Sequence, residues 1–190
     1  MFVGIDIGTT SVKSVLMGED GALHASASFP VPVSRPRAGW SEQDPDHWWS
    51  AVCDTLDALA AAKPKLMAGV TGIGLSGHMH GATVLGEGDA VLRPAILWND
   101  GRAAVECAEI EAACPDARAL TGNIAMPGFT APKLAWMRKH EPGLFARIRK
   151  VLLPKDYVRL KLTGDYASDM SDAAGTYWLD VGARRWSDAL

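Results

Sequence analysis

Residues 4–13 read Gly-Ile-Asp-Ile-Gly-Thr-Thr-Ser-Val-Lys. An apolar strand carries Asp6 and then turns tightly through Gly8-Thr9-Thr10 into a second strand. Such a turn can hold phosphates: Gly8 lets the backbone approach an anion, and Thr9, Thr10 and Ser11 supply hydroxyl and N–H donors. Asp6 adds one carboxylate suited to a hydrated magnesium ion. The spacing is neither the GxxxxGK[ST] of a P-loop nor the GxGxxG of a dinucleotide fold, and taken alone it reads equally well as an ordinary hairpin with a polar turn.

Outward from this turn, Val3–Asp6, Ser11–Met17 and Ala22–Phe29 are β-rich runs, the last two separated by Glu19-Asp20-Gly21, a hairpin signal. They predict a three-stranded antiparallel meander. Asp44-Pro45 supplies an N-cap and a first-turn proline, and Trp49, Val52, Leu56 and Leu59 recur at helical spacing behind it, which predicts a helix over 45–62. Val70–Leu75 reads as a strand ending in Ser76-Gly77, with further strands at Ala82–Leu85 and Pro94–Trp98. Helices are expected over 101–113, 131–140 and 155–162, the last closed by Thr163-Gly164. Three strands in hairpin order, then helices alternating with strands, indicate one α/β domain with a mixed sheet.

Composition narrows the function classes. The chain has 190 residues, 48% of them hydrophobic, and a net charge of −3, which excludes a disordered chain and gives no basic field for nucleic acid. The first strand is broken by Asp6 and Gly8 and lacks the basic leader of an export signal, and no apolar run reaches the length of a membrane span. Cys53, Cys107 and Cys114 form no C-x-x-C pattern and read as incidental thiols suited to a reducing cytoplasm.

Polar residues just beyond strand ends are the ones free to face a ligand. Ser76-Gly77-His78-Met79-His80-Gly81 places two histidines around a methionine; extended alternation would put His78 and His80 on one side and Met79 on the other. A zinc pair lacks a third ligand at recognisable spacing. The segment reads either as a glycine-bounded crossing or as a polar pocket for a hydroxylated substrate. Trp98-Asn99-Asp100-Gly101-Arg102 sets an aromatic face beside amide and carboxylate groups, which suits a sugar, although Asp100 also reads as the N-cap of the following helix.

Gly128-Phe129-Thr130-Ala131-Pro132-Lys133-Leu134-Ala135-Trp136-Met137-Arg138-Lys139-His140, by itself a proline-started helix with Leu134 and Met137 inward, resembles the first signature of the FGGY carbohydrate kinases. The phosphate turn, the Met79-His80-Gly81 segment, Ile96-Leu97-Trp98-Asn99-Asp100 and Thr121-Gly122-Asn123 occur in that family's order. Trp40–Pro45, Met79–Thr83, Leu153–Tyr157 and Ser168–Thr176 resemble most the members that act on D-xylulose in D-xylose catabolism.

The resemblance implies a ribonuclease-H-like domain of actin-like ATPase architecture and transfer of the ATP γ-phosphoryl group to D-xylulose. It implies that Asp6 holds Mg²⁺, that Gly8, Thr9, Thr10 and Lys13 face the phosphates, and that Met79 and His80 bind the ketose with Trp98, Asn99 and Asp100 as neighbours. It also implies a second domain after Leu190 that supplies the adenine pocket and a base Asp, so that these 190 residues alone would not turn the sugar over. Trp186–Leu190 reads as the opening of a helix. The implied partners are D-xylulose and ATP, with a homodimer as an option and neither nucleic acid nor membrane. His78 departs from the Gln of many D-xylulose-specific members. Other sugars (ribulose, gluconate, glycerol) stay open, although glycerol-specific members place Arg-Glu where this chain has Met79-His80; so does a non-catalytic actin-like nucleotide or sugar module.

Overall fold

The computed structural model describes residues 1–190. Strands β1 (Phe2–Ile7), β2 (Ser11–Met17) and β3 (Leu23–Pro30) are followed by β4 (Glu42–Gln43), α1 (Pro45–Ala62), α2 (Pro64–Met67) and β5 (Gly72–Gly77). Then come β6 (Thr83–Leu85), β7 (Ala95–Ile96), α3 (Ala104–Ala113), α4 (Ala117–Thr121), α5 (Thr130–His140) and α6 (Pro142–Phe145). The chain ends with β8 (Lys150–Leu152), α7 (Pro154–Thr163), α8 (Met170–Ala174), β9 (Leu179–Asp180) and β10 (Arg185–Trp186).

The main sheet has the order β3-β2-β1-β5. The first three strands form the expected antiparallel meander, and β5 returns parallel to β1 after crossing through α1. Period-two alternation explains the two faces. Val3, Ile5, Ile7, Val12 and Leu16 are buried under α1, and Ser14, which shares that face, is satisfied by Thr55 at 2.6 Å. The opposite face carries Asp6, Lys13 and Ser76, all exposed.

Helix α1 has the expected bounds: the Asp44 side chain accepts from the Asp46 N–H, and Pro45 opens the first turn. Val52 and Leu59 of the expected stripe are buried, but its other two positions shift by one residue, to Trp48 and Thr55. Trp48 is fully buried with its indole N–H on Gln43 Oε1 at 3.0 Å, whereas Trp49 and Leu56 lie half-buried at the edge. Two adjacent tryptophans satisfy the helical period almost equally, and the Gln43 acceptor selects Trp48.

Helix α7 closes the same core through Tyr157, Val158 and Leu160, with the Tyr157 hydroxyl donating to Asp46 at 2.6 Å. A second cluster joins Val84, Ile96, Ala103, Leu134, Trp136 and Met137, so Leu134 and Met137 do point inward. Two expectations fail. The helix expected from 101 starts at Ala104 with Ala103 at its N-cap and no side-chain cap, because Asp100 lies too far upstream and caps only the Arg102 turn. Trp186 lies not in a helix but in β10, paired antiparallel with β9 across a turn in which Asp180 Oδ1 accepts from the Ala183 N–H at 2.8 Å. No helix is long and apolar enough to cross a membrane.

Candidate active site

The C-terminal ends of parallel strands β1 and β5 lie side by side, the usual ligand edge of an open α/β sheet. Asp6 stands opposite Lys13 on β2 and beside Ser76 on β5, which gathers one carboxylate, one ammonium and one hydroxyl on an open face. The Gly8 N–H donates to Ser11 O at 3.0 Å, and a Cβ at residue 8 would lie 2.8 Å from that oxygen, so the tight closure requires glycine. The turn is braced from below: Gln43 Nε2 donates to Thr9 O at 2.7 Å and the Val31 N–H to Thr10 O at 2.9 Å. Trp98 Nε1–H donates to Thr9 Oγ1 at 3.1 Å, which brings the Trp98 segment to the Gly8 turn.

Beyond β5 the His78 N–H donates to Ile7 O at 2.8 Å, and there the extended alternation ends, because His80 has φ +66°. The two histidines therefore do not share one side. His78 is buried edge-on to Trp48 at 5.3 Å, with both ring nitrogens unpartnered. Burial first, and then the Lys133 charge, lowers its pKa to about 4. Met79 is 45% exposed.

His80 sets its Nδ1 2.8 Å from Gly175 O. A carbonyl can only accept, so Nδ1 carries the proton of the neutral ring and Nε2 is left as an acceptor. Burial, followed by the Lys133 charge, lowers the His80 pKa to about 4, which keeps the ring neutral at physiological pH. No group of three or more His, Cys, Asp or Glu side chains is gathered as a metal cage.

Met79 and His80 border an open cavity of about 550 Å³ together with Ser76, Gly77, Lys155, Asp169, Ser171, Asp172 and Gly175. Lys155, at the start of α7, pairs with Asp156 at 2.6 Å, Asp169 at 2.9 Å and Asp172 at 3.0 Å, which ties the 169–175 wall to α7. Sequence reading had these residues within the Leu153–Tyr157 and Ser168–Thr176 runs but assigned them no role.

Of the residues expected around the sugar, Trp98 and Asn99 are exposed, but Asp100 is 2% exposed and fully engaged. Its carboxylate accepts from the Ser41 N–H at 2.6 Å and from Arg102 Nη2 at 2.7 Å, Nε at 2.9 Å and backbone N at 2.9 Å. Arg102 also pairs with Glu42 at 2.7 Å and stacks on Trp40 at 3.6 Å. Arg93 completes the network through Glu42 and Glu141. The site thus has a turn flank (Asp6, Gly8, Thr9, Thr10, Lys13), with Trp98 against Thr9, and a polar hollow (Met79, His80), while Asp100 supports from inside.

The description "FGGY family of carbohydrate kinases, N-terminal domain" matches residues 1–190. The chain belongs to this family and forms its N-terminal domain. The xylulose kinase of Escherichia coli (strain K12) is 54% identical over 190 residues, which are 100% of this chain and 39% of that protein. A solved structure described as a xyloylose kinase from Brucella ovis superposes with a TM-score of 0.95 at 59% identity, covering 97% of this chain and 39% of that one. A gluconate kinase structure from Lactobacillus acidophilus reaches 0.89 at 28% identity over 98% of this chain and 38% of that one. The chain therefore spans about two fifths of the length of the relatives it matches. The mixed sheet flanked by helices is the ribonuclease-H-like fold of actin-like ATPases.

Proposed function

We propose that the protein carrying this domain transfers the γ-phosphoryl group of ATP to the terminal (C5) hydroxyl of D-xylulose, giving D-xylulose 5-phosphate. The observation that carries this is the hollow at the end of β5, where neutral His80 offers an acceptor beside exposed Met79, next to the Asp6–Lys13 phosphate turn. The choice of sugar rests on the similarity to proteins named xylulose kinase.

Asp6 fits a magnesium ion, since a solvated single carboxylate beside phosphate-facing donors is the usual protein share of such a site. When bound, the ion would neutralise charge on the phosphate oxygens. Gly8, Thr9 and Thr10 present backbone and hydroxyl donors to the phosphates, and Lys13 adds a cation directly across from Asp6. His80 Nε2 accepts a sugar hydroxyl, while the faces of Met79 and Trp98 pack on the carbon skeleton. Neither Asp6 nor His80 suits the role of base: a metal-facing carboxylate is too weak, and a histidine with pKa about 4 is weaker still than an ordinary imidazole. The base belongs to the remainder of the protein. Free Cys53, Cys107 and Cys114 suit the reducing cytoplasm as its setting.

The test is a coupled ADP-release assay on the full-length protein with D-xylulose, D-ribulose, gluconate and glycerol. The highest kcat/KM is expected for D-xylulose. A higher value for another sugar, or ATP hydrolysis indifferent to sugar, overturns the proposal.

A further inference from the structure

We infer that Thr130 and Lys133 on α5 are positioning residues that clamp the His80 carbonyl and so fix the edge of His80 that meets the sugar; this rests on the function proposed above. His80 needs such a clamp. Its φ of +66° crowds its Cβ against the following carbonyl, a conformation that residues other than glycine keep only when their surroundings enforce it.

Four contacts enforce it here. The His80 carbonyl accepts from Thr130 Oγ1 at 3.1 Å and from Lys133 Nζ at 2.9 Å. The ring is held by Gly175 O at 2.8 Å and lies edge-on to Phe129 at 4.8 Å between centroids. Helix α5 can stand this close because Gly128 precedes it; a Cβ there would lie 2.3 Å from Trp98 O.

Lys133 is the informative member. It is 0% exposed, and the His80 carbonyl is its single hydrogen-bond partner. Burial lowers its pKa to about 7, with Asp100 opposing that shift and Arg102 adding to it. An ammonium so placed costs stability, and an apolar side chain of similar length would be tolerated as well or better. What it gives in return is local: it grips the His80 backbone, and its charge helps keep the rings of His78 and His80 neutral. The kinase signature thereby acts on the sugar through His80 without touching it.

The experiment compares the full-length wild type with Lys133→Met, which keeps the reach and removes the charge, and with Thr130→Val and Thr130→Ser, which remove and keep the hydroxyl. Lys133→Met is expected to raise the KM for D-xylulose about tenfold, the effect of losing one charge-assisted hydrogen bond, with the KM for ATP within about twofold. Its Tm is expected at or above the wild-type value. Thr130→Val is expected to raise the sugar KM about threefold and Thr130→Ser to restore it, as for one neutral hydrogen bond.

A readout that needs no sugar is the NMR titration of the His80 ring, whose pKa should rise from about 4 in Lys133→Met. Wild-type sugar KM in both Lys133→Met and Thr130→Val overturns the clamp, as does a parallel rise of sugar and ATP KM with a fall in Tm, which marks packing alone. Should Lys133→Met fail to fold, the Thr130→Val and Thr130→Ser pair decides by the same criterion. A wild type that phosphorylates no sugar refutes the proposed function instead, and the His80 titration then still decides the clamp: an unchanged pKa in Lys133→Met overturns it.

Discussion

Asp100→Asn separates support from sugar binding. The change is nearly isosteric and removes one charge from a carboxylate that is 2% exposed and accepts four hydrogen bonds, one from the Ser41 N–H and three from Arg102. The amide keeps one acceptor oxygen but turns an NH₂ group toward donors on the other side: either Ser41 N–H and Arg102 Nη2, or the Arg102 backbone N–H and Nε, then face a donor. Breaking a buried ion pair from one side costs about 3–5 kcal/mol. The lower end, about 3 kcal/mol, applies because Arg102 keeps Glu42 at 2.7 Å and its stacking on Trp40. For a domain of this size that corresponds to a fall of roughly 6–12 °C in Tm. Tryptophan fluorescence melts of the full-length protein would read it through Trp40, which lies against the perturbed guanidinium. The KM for D-xylulose should stay within about threefold, because no hydrogen bond to the sugar is lost. An unchanged Tm with a large rise in sugar KM would refute the reasoning and return Asp100 to the ligand side.

Gly175→Ala would place a Cβ 2.4 Å from His80 Cε1 and 2.5 Å from Nδ1, displacing the ring; steady-state kinetics should show a raised sugar KM with ATP KM unchanged, and an overpacking cost of about 1–3 kcal/mol in a urea melt. Acid should act through the same residues. His78 and His80 titrate at about 4 in the fold against an ordinary value of 6.5, so between those values the unfolded chain binds more protons and stability falls as pH drops from about 6.5 toward 4. Urea midpoints at pH 7 and pH 5 measure this, and His78→Gln should flatten the difference; an unaltered slope in that variant contradicts the assignment. Sugar KM should rise over the lower part of the same range, as His80 Nε2 changes from acceptor to donor.

The sheet was legible in the sequence because the early strands are β-rich, β1 and β3 alternate, and Gly-bearing turns separate them, although Ser14 breaks the alternation of β2; β1 and β2 and the bounds of α1 follow from local chemistry alone. The β9–β10 hairpin was not, because two-residue strands have no period and their turn depends on one Asp180 side-chain bond. In the candidate site, Asp6, the Gly8 turn and the His78–Gly81 segment stood out because they sit at strand ends, while the sugar role expected of Met79 and His80 came from the family resemblance. Thr130, Lys133, Lys155 and Gly175 could not be assigned, since their partners lie far along the chain: His80 is 53 residues from Lys133 and 95 from Gly175. Asp100 was ambiguous for the same reason. Its spacing to the next helix suggested a cap, while its actual donors are Ser41, 59 residues away, and the adjacent Arg102.

The most direct test of the kinase account is Asp6→Ala in the full-length protein, measured by calorimetric titration with D-xylulose alongside turnover. Asp6 stands across from Lys13 on the turn flank proposed to face the phosphates, outside the hollow bounded by Met79 and His80. Sugar affinity should therefore remain while kcat falls by about 10²–10³, the scale of losing one group that orients charge at a phosphoryl or acyl centre. Loss of sugar binding with unimpaired turnover of whatever sugar still binds would contradict it.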